Sequence, residues 1–140
     1  MLEGIMVLLI VAIQEEVLFR GYITINLSSY GSVVIISVST ILFTAVHVIT
    51  NKVSVYQVVT WLLGGLVFSY AYLITGTIWI PVILHFATDL INMIVFNILG
   101  RYSLFAFSPP MQGNHRAAYK VVYTIIIFMI LTGFYGFLTM

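Results

Sequence analysis

Glu15 and Glu16 stand side by side in Ile13-Gln14-Glu15-Glu16-Val17-Leu18-Phe19-Arg20, within an otherwise apolar stretch. Only 6% of the 140 residues are charged, so an adjacent carboxylate pair followed by Arg20 is out of keeping with its surroundings. An ionised side chain at the centre of a bilayer costs about 2.5–3.5 kcal/mol on insertion scales, which makes such a residue a functional candidate by default. On a helix, Glu16 and Arg20 lie about 40° apart in azimuth, whereas Glu15 stands about 100° from Glu16 and about 140° from Arg20. One arginine neutralises one carboxylate, and buried charges are ordinarily paired. Glu16 with Arg20 therefore also reads as a structural ion pair, but that reading leaves Glu15 unexplained. Glu15 is the better general base, a carboxylate placed to take a proton from water.

Histidines on two other segments offer partners. His47 closes Phe43-Thr44-Ala45-Val46-His47, four residues after a phenylalanine on the same face. Taken alone it also reads as a packed residue near a helix end. His85 and Asp89 are four apart in His85-Phe86-Ala87-Thr88-Asp89, and Asn92 continues the stripe. A carboxylate one turn away holds an imidazole in one tautomer and orientation, as catalytic and metal-binding histidines require. The plainer alternative is a polar seam joining two helices. Glu15, His47 and His85 could activate water as a general base with electrostatic stabilisers, or could ligate zinc; spacing leaves both open. His115, beside Arg116, is expected to be solvated. HExxH, GxSxG and phosphate-binding glycine loops are absent. Cysteine is absent too, which excludes disulfides, thiol catalysis and cysteine metal sites.

The elements that must position these residues are membrane helices. Hydrophobic residues make up 62% of the chain, and a span needs about 20 apolar residues. The expected spans are Leu2 to Ile25, Ser32 to Ile49, Ser54 to Ile74, Ile78 to Leu99 and Tyr119 to Leu138. Asn26 to Gly31 is a polar turn, Pro81 falls in a first turn where proline is harmless, and Gly100 to Ala118 is the one long polar segment. Period-2 alternation is missing, so the expected fold is all-α, a polytopic transmembrane bundle of about five helices. Length makes residues 1–140 a single membrane-embedded domain. Gly64, Gly65 and Ser69 suit close helix contact. Trp61 and Trp79 read as packing or interface anchors.

Lys52, Arg101, Arg116 and Lys120 gather on one side of a five-span topology, which places the N-terminus in the cytoplasm. The apolar start carries Glu3 and lacks a basic leader and a small-residue cut site, so no cleavable signal peptide is expected. A net charge of +1 gives no reason to expect a nucleic-acid partner.

Three motifs in order, Glu15-Glu16-x-x-x-Arg20, Phe43-x-x-x-His47 and His85-x-x-x-Asp89, resemble the EExxxR, FxxxH and HxxxN/D pattern of the CAAX protease and bacteriocin-processing (Abi) family. The run from Gly65 through Phe68, Tyr72, Thr75, Gly76, Trp79 and Pro81 to His85 is similar to the family's lead-in to its third motif. The likeness covers about residues 12 to 97. It implies a multi-pass intramembrane endopeptidase, in the cell membrane if the source is prokaryotic, acting on a peptide or prenylated protein substrate in the lipid bilayer. Carried over by motif, Glu15 activates water, Glu16 with Arg20 supports the site, and His47 and His85 stabilise the scissile carbonyl and its oxyanion. The resemblance leaves the metal open, with zinc and metal-free mechanisms both described for such proteins.

This chain departs from the pattern in two ways. The first motif begins at residue 15, where relatives commonly carry further helices upstream, so the chain is a piece of a longer member or an unusually short one. Asp89 stands where asparagine is frequent; it must orient His85 or stay protonated, since an ionised carboxylate can only accept. With five straight spans, His47 lies near the cytoplasmic end of its helix while His85 enters from the opposite side, so bringing them together demands tilt, a broken helix or different span limits. Two other readings use the same polar residues: a non-catalytic immunity or peptide-binding membrane protein, and a proton or ion transporter fragment. Inverted repeats, which would favour the transporter, are absent.

Overall fold

The computed structural model describes residues 2–50 and 54–96, together with 121–122, 125–126 and 129–130. Every regular element among them is helical. Helix α1 spans Leu2–Glu16 and runs on as a π-helix, Val17–Ile23, and a last turn, Thr24–Asn26. Helices α2 (Ser32–Thr50), α3 (Val55–Thr75) and α4 (Trp79–Phe96) follow. A 3-10 turn at Ser28–Tyr30 and Gly31, at φ 83°, reverse the chain before α2.

Local chemistry sets the ends of α3. The Ser54 hydroxyl accepts from the Gln57 N–H, and the Gln57 side chain accepts from the Ser54 N–H at 3.1 Å, a reciprocal capping box. Gly76 closes the helix at φ 65°, a left-handed conformation that glycine adopts without steric penalty, and its N–H donates to the Tyr72 carbonyl at 2.8 Å.

The first expected span is a composite of α1, the π-helix and a short turn rather than one regular helix. A hydrophobic pattern cannot reveal that change of winding. Helices α2 and α3 match their expected spans within a residue at each end and are long and apolar enough to cross a membrane. Four helices are described against the five expected. The fifth span lies outside the described residues, apart from three helical residue pairs at 121–122, 125–126 and 129–130. Lys52, Arg101, Arg116 and Lys120, on which the orientation rests, and His115 also lie outside them.

Helices α2 and α3 pack closely because Gly65 has no side chain. A Cβ there would stand 2.9 Å from Thr40 Cγ2 and 3.2 Å from Thr40 Cα. Beside this contact Phe19, Phe43, Val67 and Phe68 form the buried core, with Trp61 and Leu84 packed against it.

Short connections make successive helices antiparallel, so Asn26, Ser32, Thr75 and Trp79 share one end of the bundle. Counted from that end at about 1.5 Å per residue, His85 stands about 9 Å deep, Glu15 about 16 Å and His47 about 22 Å. The two histidines do enter from different depths. Glu15 lies midway between them, and each ring has only about 7 Å of depth to cover by tilt and side-chain length.

Candidate active site

The first half of the polar cluster is fully enclosed. Glu16 and Arg20 have no exposed side-chain surface, and Arg20 Nη1 donates to Glu16 Oε1 at 3.0 Å. Arg20 Nη2 donates to the Gly65 carbonyl, also at 3.0 Å, which reaches α3 where a larger residue would hold the helices apart. The guanidinium carbon lies 4.8 Å from the Phe43 ring centroid, 5.4 Å from Phe68 and 5.9 Å from Phe19. Planar, delocalised and weakly hydrated, a guanidinium tolerates such a setting better than an ammonium does.

Glu16 has a second task. Its Oε1 also accepts from His85 Nδ1 at 2.8 Å. His85 is buried as well, stacked on Phe68 at 4.9 Å and 15° and edge-on to Phe43 at 5.9 Å. The carboxylate that orients this imidazole is therefore Glu16, from another helix. Asp89, expected to do so from one turn away, faces the other ring nitrogen, with Oδ2 3.5 Å from Nε2. The i,i+4 register brings Asp89 near the ring but past its Nδ1 edge.

The second half is partly open. Side-chain exposure is 25% for Glu15, 20% for His47 and 30% for Asp89. Glu15 Oε2 lies 3.6 Å from His47 Nε2 and 3.8 Å from His85 Nε2, too far for a direct hydrogen bond to either. Residues from α1, α2 and α4 thus converge on one carboxylate oxygen. The His47 ring packs between Phe43 at 4.6 Å and Trp61 at 5.0 Å, and its Nδ1 hydrogen-bonds the Phe43 carbonyl at 2.9 Å.

The π-helix holds the motif's arginine. Wider winding of this kind leaves a backbone carbonyl without its α-helical partner and is frequent at functional sites. Two hydroxyls converge on the Phe19 carbonyl, Thr24 Oγ1 at 3.2 Å and Ser39 Oγ at 3.1 Å, and Ser69 Oγ donates in turn to Ser39 Oγ at 3.4 Å. Ser39, Ser69 and the Gly65 carbonyl had no place in the motif reading. The available signals were a Ser37-Val38-Ser39-Thr40 run inside an apolar helix and the Gly65/Ser69 spacing, which points equally to plain packing.

All six residues singled out from the sequence, Glu15, Glu16, Arg20, His47, His85 and Asp89, lie in this cluster. Asn92 is buried on α4. Among the described residues, no group of three or more His, Asp or Glu side chains is disposed to hold a metal ion.

Comparison with curated proteins and with solved structures returns no match. The family described as type II CAAX prenyl endopeptidase Rce1-like matches residues 1–91, a stretch that carries all three motifs and every residue of the cluster. The chain belongs to this Rce1-like family of CAAX prenyl endopeptidases.

Proposed function

We propose that the protein is a multi-pass intramembrane endopeptidase that hydrolyses a peptide bond with water activated by Glu15, acting on a prenylated CAAX-type protein or a related peptide. The observation that carries the reading is the convergence of His47 Nε2 and His85 Nε2 on Glu15 Oε2, at 3.6 and 3.8 Å. Those separations suit a water or a reacting oxygen shared among the three groups.

Proton positions follow from the acceptors. Phe43 offers His47 Nδ1 a carbonyl and Glu16 offers His85 Nδ1 a carboxylate, so each Nδ1 carries hydrogen. Nε2 can then donate only from the imidazolium form. Three carboxylates, Glu15, Glu16 and Asp89, stand beside the two rings, and in the proposed reaction both rings donate from Nε2.

Hydrolysis then runs as follows. Glu15 takes a proton from water as the oxygen adds to the scissile carbonyl carbon. Negative charge that develops on the carbonyl oxygen is opposed by the Nε2–H groups of His47 and His85. The C–N bond breaks as the proton held by Glu15 passes to the leaving amine, giving a carboxylic acid and a free amine. Arg20 and Glu16 stay out of the exchange and hold His85 in place.

The test is cleavage of a farnesylated CAAX peptide and an unprenylated control by the purified protein in a membrane mimetic, with and without chelator. The wild-type protein cleaves and Glu15→Gln does not. A wild-type protein that cuts neither peptide, or a Glu15→Gln variant that still cuts, refutes the reading. The unprenylated control measures how much the lipid contributes, and the chelator arm separates a bare glutamate–histidine mechanism from one that needs a metal.

A further inference from the structure

Two neighbouring residues of the π-helix are tied to one stripe of α3. Arg20 donates to the Gly65 carbonyl at 3.0 Å, and the Phe19 carbonyl is reached from Ser69 through Ser39, at 3.4 and 3.1 Å. Gly65 and Ser69 are one turn apart, so both ties leave the same face of α3. Ser39 stands between them on α2 and has no exposed surface. Thr24, from the chain's own next turn, supplies the other hydroxyl to Phe19 at 3.2 Å. Hydroxyls on the Phe19 carbonyl favour the π-turn over α-helical pairing, so a turn that lost both donors would lean toward rewinding. Rewinding changes the azimuth of Arg20 relative to Glu16, and Glu16 is what holds His85 Nδ1.

We infer that Ser39, with Thr24 and Ser69 in support, is a positioning residue: its hydroxyl locks the π-helical register that aims Arg20 at Glu16 and so orients His85. The inference rests on the endopeptidase reading for its kinetic consequence, but not for its structural one. Phe19 also takes part through its ring, which meets Phe43 edge-on at 5.3 Å, so the lock steadies the aromatic wall shared by Arg20, His47 and His85. All three hydroxyl residues, Thr24, Ser39 and Ser69, are buried. They act on kcat through geometry.

Removing one of two hydroxyls from a shared acceptor leaves the other in place, so the losses must be more than multiplicative. Ser39→Ala and Thr24→Val are each expected to lower kcat about fivefold, and the double variant about 100-fold, beyond the product of about 25-fold, with KM unchanged. Ser69→Ala, which removes only the outer link, is expected to cost about twofold. A second readout needs no activity: NMR of the solubilised protein with isotope-labelled histidine, following the His85 Nδ1 proton bound to Glu16. That resonance moves in the double variant and stays put in Ser28→Ala, an exposed hydroxyl elsewhere in the chain.

An unmoved His85 resonance in the double variant overturns the inference, whatever the protein's activity. So does a double variant with wild-type kcat, or one whose KM and melting temperature change while kcat does not. Failure of the endopeptidase reading would show instead as a wild-type protein without cleavage, and the NMR arm would still decide the role of Ser39.

Discussion

The two halves of the cluster use the same chemical groups in opposite ways. In the closed half, Glu16, Arg20 and His85 are joined by direct bonds of 2.8 and 3.0 Å, walled by Phe43 and Phe68, and sealed from outside. In the open half, Glu15, His47 and Asp89 are each a fifth to a third exposed, and their carboxylate-to-imidazole separations are 3.5–3.8 Å. Short, direct contacts hold atoms still. Longer contacts around Glu15 Oε2, a buried oxygen with no hydrogen-bond partner among the described residues, leave it free to meet a reacting oxygen. The difference teaches that adjacency in Glu15-Glu16 is not redundancy: one carboxylate is bonded into the frame, and the other is the proposed base. His85 connects the halves, with Nδ1 in one and Nε2 in the other.

The comparison breaks most completely if the frame can be emptied without harm. Arg20→Ala takes the guanidinium from buried Glu16, leaving it only the His85 ring, a loss of about 3–5 kcal/mol, and should abolish folding and cleavage together in detergent melting and activity assays. In the open half Glu15→Gln should lower kcat about 1,000-fold while the melting temperature stays within a few degrees of wild type. His47→Ala should cost about 100-fold in kcat, the expected loss of one oxyanion donor, again with the fold intact. A large fall in stability for either would move that residue into the frame. Gly65→Ala sharpens the picture from the packing side. Its Cβ meets both the side chain and the backbone of Thr40, so overpacking should cost about 1–3 kcal/mol, with activity falling because the Gly65 carbonyl that holds Arg20 is displaced. Smallest of all, Ser54→Ala removes a helix cap outside the cluster and should cost about 1 kcal/mol in stability and nothing in kcat.

Much of this arrangement was legible before any coordinates. Helix period alone pairs Glu16 with Arg20, and the pair is there at 3.0 Å. The same period puts Asp89 beside His85, and it is, at 3.5 Å, although on Nε2 rather than the Nδ1 edge that orients the ring. Gly65 was flagged as a point of close helix approach, and Thr40 now occupies that space. What spacing could not reveal was the partner of Glu15. Its azimuth of about 100° from Glu16 says only that it looks elsewhere. The answer depends on where α2 and α4 cross α1, and at what depth.

The sequence by itself determined the helical class, the family and which side chains had to be accounted for, because charge in an apolar chain is rare and residues four apart on a helix share a face. Only the tertiary structure decided the division of labour. It set Glu15 between two histidines that approach from different depths, gave His85 to Glu16 instead of Asp89, and placed Ser39 on the Phe19 carbonyl. The physical reason is range. Intrahelical geometry is fixed by a local repeat, whereas contacts between helices depend on tilt, crossing and a π-turn whose extra winding leaves no mark in the hydrophobic pattern.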